Sequence, residues 1–420
     1  MSALADRTGP EPGRRGGLRI SYAALKRGVL WLLTACSGLA LIEPSPYELV
    51  FLLAVFVFAL TGIRFSQKLL PMALLLLLYN IGGTFSLIPW MEDTAAVRFT
   101  AVSVYLMVTA IFLAAIMAED AVGRLETLSR GYLFAAWFAG SAGILGYFDI
   151  AGLGSVFTLY GRASGTFKDP NVLGPFLVLP IVYVLQHILT GRLGLIRGLL
   201  LMSVPVAALF LTFSRGAWGN LVAAALMMIA LTFLTAPNAG KRARIVALTV
   251  TAIGLLTVAL LVALSFENIR SVFEVRASLD QSYDQGVTGR FGNQLRSIPL
   301  LLDEPNGFGP LRFRWLFPED PHNVYINAFA SYGWLGGFSW LALMAATCLV
   351  GWRLVMQRST YQNHAIVLWS VLFVTILQGV QIDTDHWRHM YLMLGLVWGL
   401  AALPRPSDAP HHARALRTTT

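Results

Sequence analysis

Two arginines and a histidine stand where so apolar a chain has little reason to hold them. Arg215 lies in FSRGAW (Phe213 to Trp218), between two apolar runs joined by almost no loop. Arg290 lies in TGRFGNQ (Thr288 to Gln294), in a turn bounded by Gly289 and Gly292 that would let a ligand come close to the backbone. His322 stands between Pro321 and Asn323 at the start of another apolar run. There the N–H groups and dipole of a helix N-terminus favour an anion. A guanidinium is always charged and grips phosphate oxygens through a fixed, bidentate fork. Imidazole takes or gives a proton near neutral pH. Such a set suits a phosphorylated substrate. Each residue also has a plainer role open to it: a helix-end arginine snorkels to lipid headgroups, a loop arginine is a solvated charge, and a histidine caps or packs.

Two further polar clusters interrupt the apolar pattern, GRASGTFKDPN (Gly161 to Asn171) and DTDHWRH (Asp383 to His389). With the start of the tenth apolar run they add Arg162, Lys168, Asn323 and Arg388 as candidates for phosphate or sugar contacts. Trp218, Trp315, Trp334 and Trp387 have faces on which sugars stack, although tryptophans near a membrane interface commonly serve as anchors.

The elements that must position these residues are membrane helices. Of 420 residues, 56% are hydrophobic and 13% are charged, against roughly 25% charged in soluble domains. Apolar runs fall at 28–43, 47–63, 68–88, 98–118, 131–149, 171–190, 196–213, 216–235, 245–266, 323–352, 364–381 and 389–403. Crossing a bilayer takes about 17–25 residues, so the expected fold is all-α, a polytopic bundle of about 12 transmembrane helices. The tenth run is long enough to project beyond the membrane or to begin as a surface helix.

Lys and Arg set the orientation, because short cytoplasmic loops retain them. With the N-terminus inside, the inner segments hold 20 of the 31 basic residues, and six of the other 11 fall in one long loop. The inner segments then carry a formal charge of +14 and the outer segments −5. The overall +9 is therefore topology and affinity for anionic lipid heads, not a nucleic-acid footprint. The chain divides into a basic cytoplasmic tail (1–27), nine spans (28–266), a periplasmic catalytic loop (267–321), three spans (322–403) and a cytoplasmic tail (404–420). The loop has Phe, Trp and Leu at its centre (Phe308 to Pro318) and is expected to pack onto the bundle. Residues 1–20 and 404–420 have the composition of disordered tails. LLTACSG around Cys36 looks like a lipoprotein processing site, but the polar leader is long and cleavage is not expected. Cys36 and Cys348 fall in separate spans and imply no disulfide framework.

In order along the chain, GTFKDPN, FSRGAW, GR before a G-F-G turn, and PHN leading into YGWLGG resemble the bacterial O-antigen ligase and O-antigen/exopolysaccharide polymerase superfamily. The resemblance implies a periplasmic-face, inverting glycosyltransferase of the GT-C type in the inner membrane. Its donor would be a glycan on undecaprenyl diphosphate, and its acceptor a lipid-linked glycan or lipid A-core. Arg215 and Arg290 match the family's diphosphate-binding arginines and His322 its essential histidine. Neither cofactor nor metal is implied, and the outer segments lack the carboxylate cluster that a divalent cation needs. Other polysaccharide-assembly proteins are possible partners. The −5 outer face opposes a large anionic acceptor, which favours the polymerase over the ligase. A lipid-linked-sugar flippase or secondary transporter is the competing class. It would place its charges near the midplane in repeated halves, and neither feature is visible here.

Overall fold

The structure, a computed structural model, describes residues 21–277, 286–317 and 322–404. The polar tails 1–20 and 405–420, and the loop segments 278–285 and 318–321 with Pro321, lie outside the described residues.

The described residues are mostly helical. In order the helices are α1 (Tyr22–Ala35), α2 (Pro46–Thr61), α3 (Leu70–Leu87), α4 (Thr94–Ile116), α5 (Ala121–Tyr147), the single turn α6 (Gly154–Phe157), α7 (Pro170–Leu189), α8 (Leu195–Leu211), α9 (Arg215–Thr235), α10 (Ala239–Leu264), α11 (Glu267–Ala277), α12 (Arg290–Asp303), α13 (Val324–Met356), α14 (Gln362–Gln378) and α15 (Arg388–Ala401). Two short antiparallel strands, β1 (Thr158–Leu159) and β2 (Arg162–Ala163), pair between α6 and α7. Many helices begin where a side-chain oxygen accepts an otherwise unpaired backbone N–H: Asp93 before α4, Asp169 before α7, Ser214 before α9 and Asn323 before α13.

Among the described residues, six helical segments are long and apolar enough to cross a membrane: Gln67–Trp90, Thr94–Ile116, Pro170–Leu189, Arg215–Thr235, Ala239–Leu264 and Val324–Met356. The shorter α2, α8 and α14 are also apolar. α10 has the highest mean hydropathy, 2.7, with 6% of its apolar window buried. In water that surface would be costly; against lipid it is the expected exterior.

Close packing depends on small residues. Gly395 and Gly399 of α15 lie against the backbone at Ala110 and Ala114 of α4, and Gly82 of α3 lies against Tyr332 and Gly336 of α13. Such spacing lets helix backbones approach closely in a membrane. α5 solves a separate problem. Pro180 in α7 and Pro205 in α8 offer no N–H to the carbonyls of Phe176 and Leu201 one turn earlier. The Tyr132 hydroxyl donates to Phe176 O (3.1 Å) and Trp137 Nε1–H to Leu201 O (2.8 Å), so both carbonyls are satisfied.

The tenth apolar run is two helices in series. α13 breaks at Gly333 (φ 65°, ψ −173°), a conformation open essentially to glycine. A Cβ there would lie 2.7 Å from Pro305 O. The connection after α12 presses into this break, with Trp334 N–H donating to Pro305 O (2.8 Å). Beyond it, Phe308, Phe313 and Phe317 pack with Leu301 and Ala330. Arg312 pairs with Asp93 and lies over the rings of Trp90 (4.2 Å) and Trp315 (4.6 Å). The apolar centre of the long loop thus seats on the α3–α4 corner.

Connections between helices sort into two sets. Arg98 and Lys168 both pair with Glu43, Arg388 pairs with Glu48, and Arg312 with Asp93. Lys26 and Arg124 pair with Glu119, Arg27 pairs with Asp120, and Gln186 bonds Asn363 O. Each contact joins helix ends or the connections beside them, the first set at one end of the helices and the second at the other.

Candidate active site at the α14–α15 turn

Arg290, His322 and the first turn of α9, which Arg215 opens, converge on one short segment, Gln378 to Asp383, running from the last residue of α14 toward α15. Arg215 is the first residue of α9, which follows α8 after a turn through Phe213 at φ 44°. Its neighbour Gly216 faces Gln378, whose Nε2 would lie 3.0 Å from a Cβ at that position. Asn220, further along α9, donates to Gln378 Oε1. Arg290 opens α12 and donates to Gln381 O (3.1 Å), and Gln294 on the same helix donates to Val380 O (3.1 Å). His322 Nδ1 lies 3.5 Å from Asp383 Oδ2. Val324 N–H donates to Gly379 O (2.8 Å) and Tyr325 hydroxyl to Ile376 O (2.6 Å), tying the start of α13 to the end of α14.

Arg290 differs in setting from the sequence reading. TGRFGNQ is not an open turn: Arg290 is helical, and Gly292 sits inside α12, where the backbone of Gly286 and Val287 crosses too closely for a side chain. The glycine serves packing of the loop on its own helix. His322, half exposed, takes φ 44°, a left-handed conformation uncommon for a non-glycine residue. Asn323 spends its carboxamide oxygen on the N–H groups of Tyr325 (3.0 Å) and Ile326 (3.3 Å), as the N-cap of α13.

The remaining candidates spread along the same end of the bundle. Arg162 is buried; its Nε donates to Thr212 O (2.7 Å) and its Nη2 to Asn171 Oδ1 (2.8 Å). Thr212 closes α8, where a cation also meets the negative end of the helix dipole. Arg162 therefore clamps the Gly161–Asn171 segment to the corner that presents Arg215. Lys168 Nζ lies 2.6 Å from Glu43 Oε1. That hydrogen bond, with the positive charges of Lys168, Arg98 and Arg388, overcomes partial burial and holds the Glu43 carboxyl below its usual pKa. Of the tryptophans, Trp218 stacks on Phe210 and Phe273, Trp334 donates to Leu301 O (2.9 Å), Trp387 is buried, and Trp315 covers Arg312.

Two cavities open at this end. The smaller, about 220 Å³, is lined by His322, Asn323, Asn327, Asp383, Asp385, His386, Arg314 and apolar neighbours. The larger, about 1050 Å³, lies among α2, α4, α7 and α15 and takes in Glu43, Glu48, Arg98, Lys168, Asp169, Arg388 and His389. Phe99, Leu311 and His386 line both. Neither Arg215 nor Arg290 belongs to either lining; Arg290 meets the Gln378–Asp383 segment from α12, and α9, which Arg215 opens, meets it through Gly216 and Asn220.

His386 is a residue the sequence alone did not single out. Its ring stacks on Phe99 (3.9 Å between centroids), Nε2 lies 3.1 Å from Phe99 O, and Nδ1 lies 3.1 Å from Asp385 Oδ2. Burial works against a charged ring. The opposing effects of Asp385, the Phe99 carbonyl and Asp383 together exceed it, so its pKa rises above the ordinary value. Asp383 was visible only as part of an acidic and aromatic cluster; nothing in the sequence pairs it with His322.

Residues 198–341 match a family model described as O-antigen ligase. The matched segment runs from α8 to the second half of α13 and includes Arg215, Arg290 and His322. It bears out the superfamily resemblance read from the motif order. No curated protein matches the chain. Among the described residues the protein is mostly helical, with six helical segments long and apolar enough to cross a membrane, and its segment 198–341 is similar to the O-antigen ligase family.

Proposed function

We propose that the chain is a glycosyltransferase of the periplasmic face of the bacterial inner membrane, which polymerises oligosaccharide repeat units carried on undecaprenyl diphosphate. The observation that carries this reading is that Arg290, His322 and the start of α9, all inside the segment matching an O-antigen ligase model, meet at Gln378–Asp383, which lies beyond that segment.

In this reading the reaction proceeds in one displacement. The acceptor sugar's hydroxyl oxygen attacks the anomeric carbon of the donor glycan, and its proton passes to His322. The bond from that carbon to the diphosphate oxygen breaks with its electron pair, the lipid diphosphate leaves, and the configuration inverts. Arg215 and Arg290 bind the diphosphate and stabilise the charge it gains. Positioned cations at developing charge are among the most effective groups an active site offers, and more so away from bulk water. The Asp383 carboxylate beside Nδ1 orients the ring and supports the imidazolium, leaving Nε2 for the acceptor hydroxyl. That contact favours the base role for His322 over a diphosphate ligand. No step requires a metal ion.

Twelve crossings with the His322 end outward complete the proposal. The segregation of helix-end contacts into two sets and the 20 inner basic residues support it. Cysteine reporters at Gln294 and Arg314 should then react with an impermeant thiol reagent from the periplasm and those at Lys241 and Arg358 should not; the reverse pattern overturns the orientation. For the chemistry, Arg215→Ala, Arg290→Ala and His322→Ala should each abolish glycan transfer at normal protein level and membrane insertion. Full transfer by any of them removes that residue from the mechanism.

The alternative acceptor is lipid A-core, and the family model's description as a ligase favours it. The polymerase is preferred because the outer segments total −5, which opposes a phosphorylated acceptor.

A further inference from the structure

The larger cavity lies outside the Arg215–Arg290–His322 assembly, and its chemistry differs from that of a diphosphate site. Each of its three cations already faces a carboxylate: Arg98 and Lys168 share Glu43, and Arg388 holds Glu48. With Asp169 the lining carries three formal positive and three formal negative charges. Paired charges of this kind give little net field for an anion, but they fix an array of donors and acceptors in space. Between them stand the rings of Tyr47, Phe99, Tyr105 and Phe167. Hydroxyl-rich, neutral rings with apolar faces need this combination.

A second observation points the same way. Tyr47 hydroxyl and His389 Nε2, both on buried side chains of the lining, have no hydrogen-bond partner among the described residues. Buried polar atoms in native proteins are rarely left so, and a sugar hydroxyl both donates and accepts. At about 1050 Å³ the space matches the upper end of small-molecule sites, about 300–1,000 Å³. Phe99, Leu311 and His386 line both this space and the cavity holding His322, so the two adjoin.

We propose that this chamber among α2, α4, α7 and α15 holds the terminal sugars of a neutral acceptor glycan and presents their hydroxyl to His322. The proposal rests on the glycosyltransferase reading. It assigns Tyr47 and His389 as acceptor-binding groups and Glu43, Arg98, Lys168 and Arg388 as the polar frame of an acceptor subsite. It also separates acceptor from donor, since a balanced chamber has no means of favouring a diphosphate.

The test uses the full-length protein in lipid nanodiscs. The donor is the lipid-linked single repeat unit extracted from a strain lacking the protein. The acceptor is the free oligosaccharide released from that same material by mild acid. Tyr47→Phe removes one hydroxyl and should raise the apparent KM for the free oligosaccharide by about 3- to 10-fold. Ala101→Phe fills the chamber and should raise it by more than about tenfold. In both, the KM for the lipid-linked donor should stay within about twofold of wild type. A chamber variant that transfers with unchanged oligosaccharide KM, or whose donor KM rises instead, overturns the assignment while leaving the glycosyltransferase reading intact. Wild-type protein that transfers nothing overturns that reading, and the subsite falls with it. Thermal unfolding of each variant checks its fold; if Ala101→Phe unfolds, Tyr47→Phe alone decides.

Discussion

The Nδ1 of His322 lies 3.5 Å from the Oδ2 of Asp383. The two come from different connections, His322 ahead of α13 and Asp383 after α14, and the Val324 N–H to Gly379 O bond fixes the spacing between their backbones. In the proposed mechanism the carboxylate beside Nδ1 leaves Nε2 to take the acceptor's proton. Asp383→Asn should therefore lower kcat about 10- to 100-fold with little change in either KM. Asp383→Glu should recover part of the loss. An equal fall in kcat for both variants, or a rise in KM alone, would mean that Asp383 does not act through His322.

Arg215 and Arg290 act, in this account, through the geometry of the guanidinium and not through charge alone. Lysine at either position should restore less than about a tenth of wild-type transfer, because a point charge cannot reproduce two parallel hydrogen bonds. Transfer rates of Arg215→Lys and Arg290→Lys in membranes, normalised to protein level, provide the check. Near-complete rescue would assign them a purely electrostatic role.

Arg162 is expected to behave differently from those two. Its donors hold Thr212 O and Asn171 Oδ1 in a buried setting. Arg162→Met should destabilise the protein by about 1.5–3 kcal/mol, the range for hydrogen bonds to charged groups. The loss should appear as a lower thermal midpoint in detergent before it appears as lost transfer at low temperature. An inactive variant with an unchanged midpoint would move Arg162 into the substrate site.

The Glu43 carboxyl ionises more readily in the folded protein than in the unfolded chain, chiefly through its hydrogen bond with Lys168. Its contribution to stability is complete above the ordinary carboxylate pKa of about 4.3 and disappears as pH falls through the lower folded value. The difference in thermal midpoint between wild type and Glu43→Gln should thus be level from neutral pH to about pH 5 and shrink in more acid solution. A difference that grows on acidification would contradict the pairing.

Much of this was legible in the sequence because lipid imposes one rule on every span. Long apolar runs, their turns and the Lys/Arg bias mark the elements directly, and α4, α7 and α9 fall close to the runs at 98–118, 171–190 and 216–235. Where the chain departs from the reading, the cause is contact between distant segments. The break at Gly333 exists because Pro305 presses on it, so the run at 323–352 looked continuous. Gly292 is the exception, a local contact: it read as a ligand-facing turn because no spacing rule marks that the backbone of Gly286 and Val287, just before α12, folds back onto it. Charges at Glu43, Arg98, Lys168 and Arg388 were visible one by one. Their pairing, and the balanced chamber it creates, required α2, α4, α7 and α15 to be brought together.

The central claim, that this end of the bundle joins lipid-linked repeat units into polymer, is tested most directly by the glycan profile of a strain carrying His322→Ala in place of the wild-type chain. The account predicts single repeat units, on the carrier or passed onward, and no long chains, with wild-type protein restoring the ladder. Long polymer stranded on undecaprenyl diphosphate beside bare lipid A-core would contradict the polymerase assignment, and an unchanged ladder would contradict the catalytic role of His322.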